Sequence, residues 1–449
     1  MPAFARQTGK ACNTCHFQHY PILNEYGMEF KAGGYTDMGK QAVVKGKELS
    51  LPGIFNASLY TKIRYLKDNG TDGTDAAGNS AKTTHSGEIQ FPDEFALLIG
   101  GRVTDNIGFM IENQFAGGGT GILAGFKMPF TFGVGKSMKA GVTPFLTDSL
   151  GAAYGFEQLS TGAVRNIRSN ENRSETSAMQ YVFFGGSGPR SLDGDNQDPF
   201  AAAGTNTRIA AGAASGVAIS LWDPSFNVAY TAWSPHHLVE AGGNVGGLGS
   251  GLLRAVWTPT FGDWSLGIGL QSYTGSSVRL KNESGGGNHT IQFVDTKGTA
   301  IDFQAHGAVG NMPLGIYVTH ASTPGSRTGC NSGTAATACN LFNENANTKS
   351  ATAILAELGV IPNKATVTLG YRAANNGSNV AADGGKDNAV LIGATYQISQ
   401  NVQLQVNHHT RTSRADGIGR IGVTNCTAAC ATDTTRGNSQ TLFMLSAGF

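Results

Sequence analysis

The chain has 449 residues, 63 of them glycine, with 14% charged residues and a formal net charge of +1. That length admits two or three ordinary domains or one large β architecture, and the balanced charge argues against a nucleic-acid partner, which would need a basic excess. No apolar run of about 18 residues occurs, so no transmembrane helix is expected, and a mean hydropathy of −0.15 is not that of a disordered chain.

The first unit in chain order, residues 1–50, is built around Cys12-Asn-Thr-Cys15-His16. A Cys-x-x-Cys-His run is the attachment signature of a c-type haem. Haem is attached outside the bacterial cytoplasm, yet Met1 is followed at once by PAFARQTG, with no basic or apolar leader. The expectation is therefore a mature chain or one clipped at its start. Cys12 and Cys15 are spaced to place two thioether bonds on one side of a helical turn, with His16 as the proximal iron ligand. A redox Cys pair would expect a thioredoxin-like βαβ context, which is absent here, and a zinc knuckle would need further Cys or His at ligand spacing.

The distal ligand is open. Met38 is the first choice, because it follows the helix stop AGGY and has chain enough to return over the far face. His19, Met28, a residue of the following domain and an open position are the alternatives. His19 lies close to His16 on nearly the same helical face and reads better as a polar residue of the haem-bearing turn. Arg6, Gln7, Lys31 and Tyr35 are candidates for the haem propionates, Arg6 being suited to bidentate carboxylate contact. For Lys31 a solvated surface position is the stronger reading. PILNEYGMEFKAGG reads as a helical stretch whose Ile22, Leu23, Tyr26 and Phe30 pack the haem edge. So short a unit buries a haem poorly alone, so the wall of the next domain is expected to complete the pocket.

From residue 51 to 449 the pattern has period two. Ala57, Leu59, Thr61, Ile63 and Tyr65 alternate with Ser58, Tyr60, Lys62 and Arg64, and Ala365, Val367, Leu369 and Tyr371 with Thr366, Thr368, Gly370 and Arg372. Trp264 to Leu270, and Val402, Leu404 and Val406 against Gln403, Gln405 and Asn407, repeat it. These are strands with one apolar and one polar face. Short connections (VTDN, WDPS, PTFGD, GNMP, IPNK, ISQN) alternate with long polar ones near 67–86, 117–148, 187–206, 235–248, 275–298, 322–349, 375–387 and 413–437. The fold class expected is all-β, an antiparallel outer-membrane barrel of about 16 strands with a small helical haem c plug in or at its lumen. A sandwich would need apolar packing on faces that are polar here, and no fixed repeat supports a propeller. The final strand, TLFMLSAGF, ends in Phe449, which resembles the assembly signal of outer-membrane proteins.

Cys330/Cys339 and Cys426/Cys430 are close pairs in polar segments and read as loop disulfides of an oxidising compartment, with a zinc site as the rival. His236–His237 and His408–His409 are candidates for attracting iron at the barrel mouth, though such pairs are more often ordinary residues. Asp68, Asp72, Asp75, His85 and Glu88 make the first long loop a candidate collector of hard cations, which solvation explains equally well.

PAFARQTG (Pro2–Gly9), CNTCH (Cys12–His16), the Pro-x-Leu-Asn around Pro21 to Asn24, FKAGGYT (Phe30–Thr36) and TDSLGAAYGFE (Thr147–Glu157) together resemble the fused cytochrome–porin family, monohaem outer-membrane cytochromes associated with iron oxidation. The resemblance is dense over the start of the chain and architectural beyond it. It implies one covalent haem c, held by Cys12, Cys15 and His16, on a plug within a porin-like barrel. It further implies electron uptake from dissolved Fe(II) at the cell surface and delivery to a periplasmic c-type cytochrome, from a monomer or homo-oligomer in outer-membrane lipid. The chemistry would be outer-sphere one-electron transfer, an Fe(II):cytochrome c oxidoreductase, with no catalytic acid, base or nucleophile. Two alternatives stay open: a diffusion porin whose haem plug is structural, and an outward conduit for extracellular metal reduction.

Overall fold

Side chains that alternate in character settle into strands whose two faces meet different surroundings, and in the computed structural model sixteen such strands close into an antiparallel barrel. The structure describes residues 1–449 except 40, 48, 70–72, 75–79, 82–86, 116–121, 149, 162–176, 184–206, 210–211, 239–246, 283–288, 327–338, 344, 378–384 and 414–438. In chain order the wall begins with β1 (Ala57–Asp68), β2 (Glu88–Arg102), β3 (Gly108–Gln114) and β4 (Ile122–Lys127, resumed as Phe130–Val134). β5 (Met138–Thr147), β6 (Ala214–Asp223), β7 (Phe226–Ser234) and β8 (Ser250–Trp257) follow. Next come β9 (Trp264–Asn282), β10 (Gly298–Val309), β11 (Met312–Thr323) and β12 (Lys349–Ile361). The last four are β13 (Ala365–Asn375), β14 (Ala389–Ser399), β15 (Val402–Arg411) and β16 (Ser439–Gly448). β16 pairs back to β1, with Phe443 opposite Tyr65, so the wall has no free edge.

The faces divide as the alternation requires. On β13, Val367, Leu369 and Tyr371 are exposed while Thr366, Thr368 and Arg372 are buried. On β15, Leu404 is exposed and Gln403, Gln405 and Asn407 are buried. An exposed apolar wall around a polar interior is the inverse of a soluble protein, and only lipid stabilises it; the chain is a bacterial outer-membrane protein. Inside, charges pair: Arg64 with Asp93 (2.7 Å), Arg372 with Asp387 (2.8 Å), and Arg254 with both Asp302 (2.6 Å) and Glu157 (3.2 Å). Gly269 lies between the strands carrying Arg254 and Asp302, and a Cβ there would overlap both side chains.

Every short connection lies at one end, which also receives the start of β1 and the end of β16. The expected long loop 117–148 is instead mostly wall, since β4 and β5 occupy it. Pro129 interrupts β4 and Pro144 lies within β5, paired with Val217, so the alternation there is broken and reads as loop. The true long connection starts at Asp148 and turns into the lumen. Its Ala152–Gly155 turn and Glu157 are buried there, followed by α4 (Ala178–Phe183), all of whose residues are buried. The helix is accommodated by small inward wall residues, among them Ala300, Ala321, Ala351 and Ala353, and packs with Trp233, Tyr273 and Phe342.

The N-terminal segment enters the lumen from the short-turn end. It forms α1 (Pro2–Thr8), α2 (Cys12–Cys15) and α3 (Glu25–Ala32), then a two-stranded ribbon, Val43–Lys45 against Ser50–Pro52, before the wall begins. Proline at the start of α1 and Gly9, left-handed at φ 69°, mark its two ends. Ala3 N donates to Ser58 Oγ (2.6 Å), and Ile22 is buried against Tyr317, Leu355 and Leu391 of the wall, an apolar peg worth about 1.5–3 kcal/mol.

Candidate functional site

His16 N donates to Cys12 O (3.0 Å), closing α2 as one turn that puts both thiols on the same face at i and i+3. The chain then runs out and back, Phe17 N donating to Ile22 O (2.9 Å) and Asn24 N to Cys15 O (3.1 Å). That return sets Ile22 O 3.1 Å from His16 Nδ1. A carbonyl only accepts, so Nδ1 carries the proton and Nε2 the lone pair. Burial lowers the His16 pKa to about 3, which keeps the ring neutral. Asn24 caps α3, accepting from Gly27 N (3.0 Å), and donates to Thr14 O (3.0 Å), locking α3 onto the Cys12–Cys15 turn. Gly27 lies so close to Cys15 O that a Cβ would overlap it.

Cys12 and Cys15, both free thiols, and His16 line one cavity of about 350 Å³. Phe4, Phe30, Lys31 and Tyr35 close it from the plug; Leu98, Met110, Glu112 and Lys127 from the wall; and Tyr154 and Leu159 from the loop folded into the lumen. Lys10, Ala11 and the turn residues Gln400 and Asn401 also border it, so the cavity reaches the short-turn mouth. The donor set suits a covalent haem: two thiols on one face, a neutral imidazole with its Nε2 lone pair available, and apolar and aromatic walls.

The other residues singled out from the sequence divide. Lys31 and Tyr35 line the cavity. Arg6 is exposed and donates to Ala57 O (2.6 Å), and Gln7 is a buried clamp between Tyr35 O (2.6 Å), Asp37 O (2.7 Å) and Arg102 N (3.0 Å); neither lines the cavity. Met38 is half-buried and Met28 packs against Leu159 and Val256; neither lines it either. His19 has both ring nitrogens engaged, Nδ1 by Tyr20 O (2.8 Å) and Nε2 by Glu357 Oε2 (3.0 Å), in a fully buried pair. Both partners are acceptors, so the ring carries two protons. Burial opposes that charge, but the Glu357 carboxylate and the hydrogen bonds outweigh it, and the His19 pKa is raised.

His408 and His409 occupy consecutive strand positions, so one is exposed and bonded to Thr441 (2.8 Å) while the other is buried, and they cannot share a ligand. His236 is buried beside Ser234. Asp68 and Glu88 belong to β1 and β2, whereas Asp72, Asp75 and His85 lie outside the described residues. Cys339 is disulfide-bonded; Cys330, Cys426 and Cys430 lie outside the described residues.

The expectation that the wall completes the pocket carried no residue names; the structure supplies Leu98, Met110, Glu112 and Lys127. Lys127 is 4% exposed, donates to Tyr154 O (3.2 Å) and lies over the Tyr154 ring (4.4 Å). Burial lowers Lys31 to about 8, with Glu157 opposing and Arg254 adding to the shift. Neither lysine forms an ion pair with a carboxylate among the described residues. Inward placement on a strand was the available signal for Lys127, hidden because its segment read as loop.

No family model matches the chain, and no curated protein matches it. Among solved structures it is similar to outer-membrane-expressed OmpT of Vibrio cholerae, at 13% identity over 91% of this chain and 100% of that one, with a TM-score of 0.44. It is also similar to the outer membrane channel DcaP of Acinetobacter baumannii (13%, 91% and 100%, TM-score 0.42) and to Salmonella typhi OmpF in complex with daunomycin (10%, 91% and 100%, TM-score 0.42). Likeness at this level says nothing of what this chain binds or carries.

Proposed function

We propose that the chain is a fused cytochrome–porin, an outer-membrane electron conduit that takes electrons from extracellular Fe(II) through one covalently bound haem c and passes them to a periplasmic c-type cytochrome. The observation that carries this reading is the single cavity shared by Cys12, Cys15 and the oriented, neutral His16. Haem bound there would supply a one-electron iron couple. Cys12 and Cys15 would hold it through thioether bonds, His16 Nε2 would bind its iron from one side, and Phe4, Phe30, Tyr35 and Leu98 would keep water from it.

The cavity borders the short-turn mouth, the periplasmic side of an outer-membrane barrel, so an electron acceptor can approach through that mouth. The long-loop side is different. Tyr154 of the cavity wall belongs to the same packed cluster as Phe145, Trp233, Tyr273, Phe183 and Phe342, with neighbouring rings 4.7 Å apart at the Phe183–Tyr273 contact. Electrons tunnel more readily through packed atoms than across gaps, and solutes do not diffuse through them, so this interior favours a conduit over a diffusion porin.

The test is anaerobic mixing of the oxidised holoprotein with Fe(II) while the haem bands are followed. Rapid reduction, lost in Cys15→Ala and His16→Ala, is expected. Haem that stays oxidised under excess Fe(II) at the organism's working pH would overturn the Fe(II) assignment.

A further inference from the structure

Building on the haem reading above, we propose that Lys127 of the barrel wall and Lys31 of the plug bind the two propionate carboxylates of the haem, so that the cofactor spans the seam between plug and barrel. Both side chains line the cavity that holds Cys12, Cys15 and His16. Lys127 is almost fully buried, and Lys31 opens on the same cavity from the plug side. Two neighbouring ammonium groups facing one cavity are mutually repulsive and poorly solvated, an arrangement that is stable when an anion lies between them.

The protein does not supply that anion from the residues described. Glu157 is taken up by Arg254 and Glu94 by Lys62, and no carboxylate among the described residues forms an ion pair with Lys127 or Lys31. Among the described residues, the Lys127 ammonium meets the Tyr154 carbonyl and the faces of Tyr154 and Tyr35, contacts that hold it in place without cancelling its charge. A ligand with two adjacent carboxylates fits this charge pattern, and haem carries two on one edge. Lys127 belongs to β4 and Lys31 to α3, so the pair ties the cofactor to both bodies and makes the barrel part of the haem site.

The test is potentiometric titration of the holoprotein across pH for the native chain and for Lys127→Gln, Lys127→Arg and Lys31→Gln. Fixed cations beside the propionates favour ferrous over ferric haem and favour ionised propionates. Each Gln variant should therefore show a lower midpoint potential and a propionate-linked pH step moved to higher pH, while Lys127→Arg stays close to the native profile. A packing role alone would shift Lys127→Arg as well and leave the pH step where it was. Heat-modifiable migration in gels checks that each barrel is folded, and Lys31→Gln decides the matter if Lys127→Gln does not assemble. Unchanged potentials and pH steps in folded, haem-bearing Gln variants would overturn the propionate assignment alone. A native chain that carries no covalent haem after maturation would overturn the haem reading beneath it.

Discussion

Glu357→Ala gives the sharpest test of how the plug is held. The Glu357 carboxylate accepts from His19 Nε2 (3.0 Å) and from Thr368 Oγ1 (3.2 Å), and both members of the pair have fully buried side chains. Removing one partner of a buried ion pair costs about 3–5 kcal/mol, which is roughly a hundred- to five-thousand-fold in the docked-to-released ratio of the plug. The sign of the pH dependence follows from the raised His19 pKa. The paired, doubly protonated ring contributes its full stability below the unfolded value near 6.5 and loses it as pH rises through the higher folded value. Native and variant chains should therefore differ most at pH 6 and converge in alkali. Hydrogen exchange of the Phe17 and Asn24 amides, which close the His16–Leu23 hairpin, reports the release directly. Equal protection in both chains at pH 6, or a difference that does not shrink with rising pH, would refute the pair as the plug's latch.

Three further outcomes are expected. Gly27→Ala places a methyl group against the Cys15 carbonyl and should displace α3 at a cost of about 1–3 kcal/mol, lowering the yield of covalently attached haem measured by in-gel peroxidase staining. Met38→Leu should leave the axial-ligand bands of the ferric haem spectrum unchanged, because Met38 does not line the cavity; a changed band would return it as the distal ligand. Phe183→Ala empties the fully buried position between Tyr273 and Phe342, costing about 3–5 kcal/mol, and should raise single-channel conductance in planar bilayers above that of the native chain.

Much of the wall was legible in the sequence, because lipid and a polar lumen impose opposite demands on adjacent residues. Leu369 and Arg372 declare their faces by character alone, and the short turns then fix the direction of each strand. That logic fails where a residue's role depends on what stands across the lumen. Pro144 looks like a strand breaker, yet β5 accommodates it, and the misread loop concealed Lys127. Ala300, Ala321 and Ala351 carry no chemistry of their own; they are small because α4 lies against them, and α4 follows a stretch whose own pattern suggests nothing.

The same limit governs the site. That Cys12, Cys15 and His16 meet on one cavity is legible because their spacing within one turn is a purely local constraint. Arg6 and Gln7 were reasonable propionate partners by charge and hydrogen-bonding type, but the chain directs them to Ala57 O and to the Tyr35, Asp37 and Arg102 backbone. For His19, helical geometry is the local argument against a ligand role, and the structure adds one that no local pattern carries: Glu357, far along the chain, occupies its second nitrogen. Local spacing thus determines what can attach to the plug, whereas contacts made across the barrel determine which charges surround it. A cofactor pocket assembled between two such units can be recognised from one of them but defined only by both.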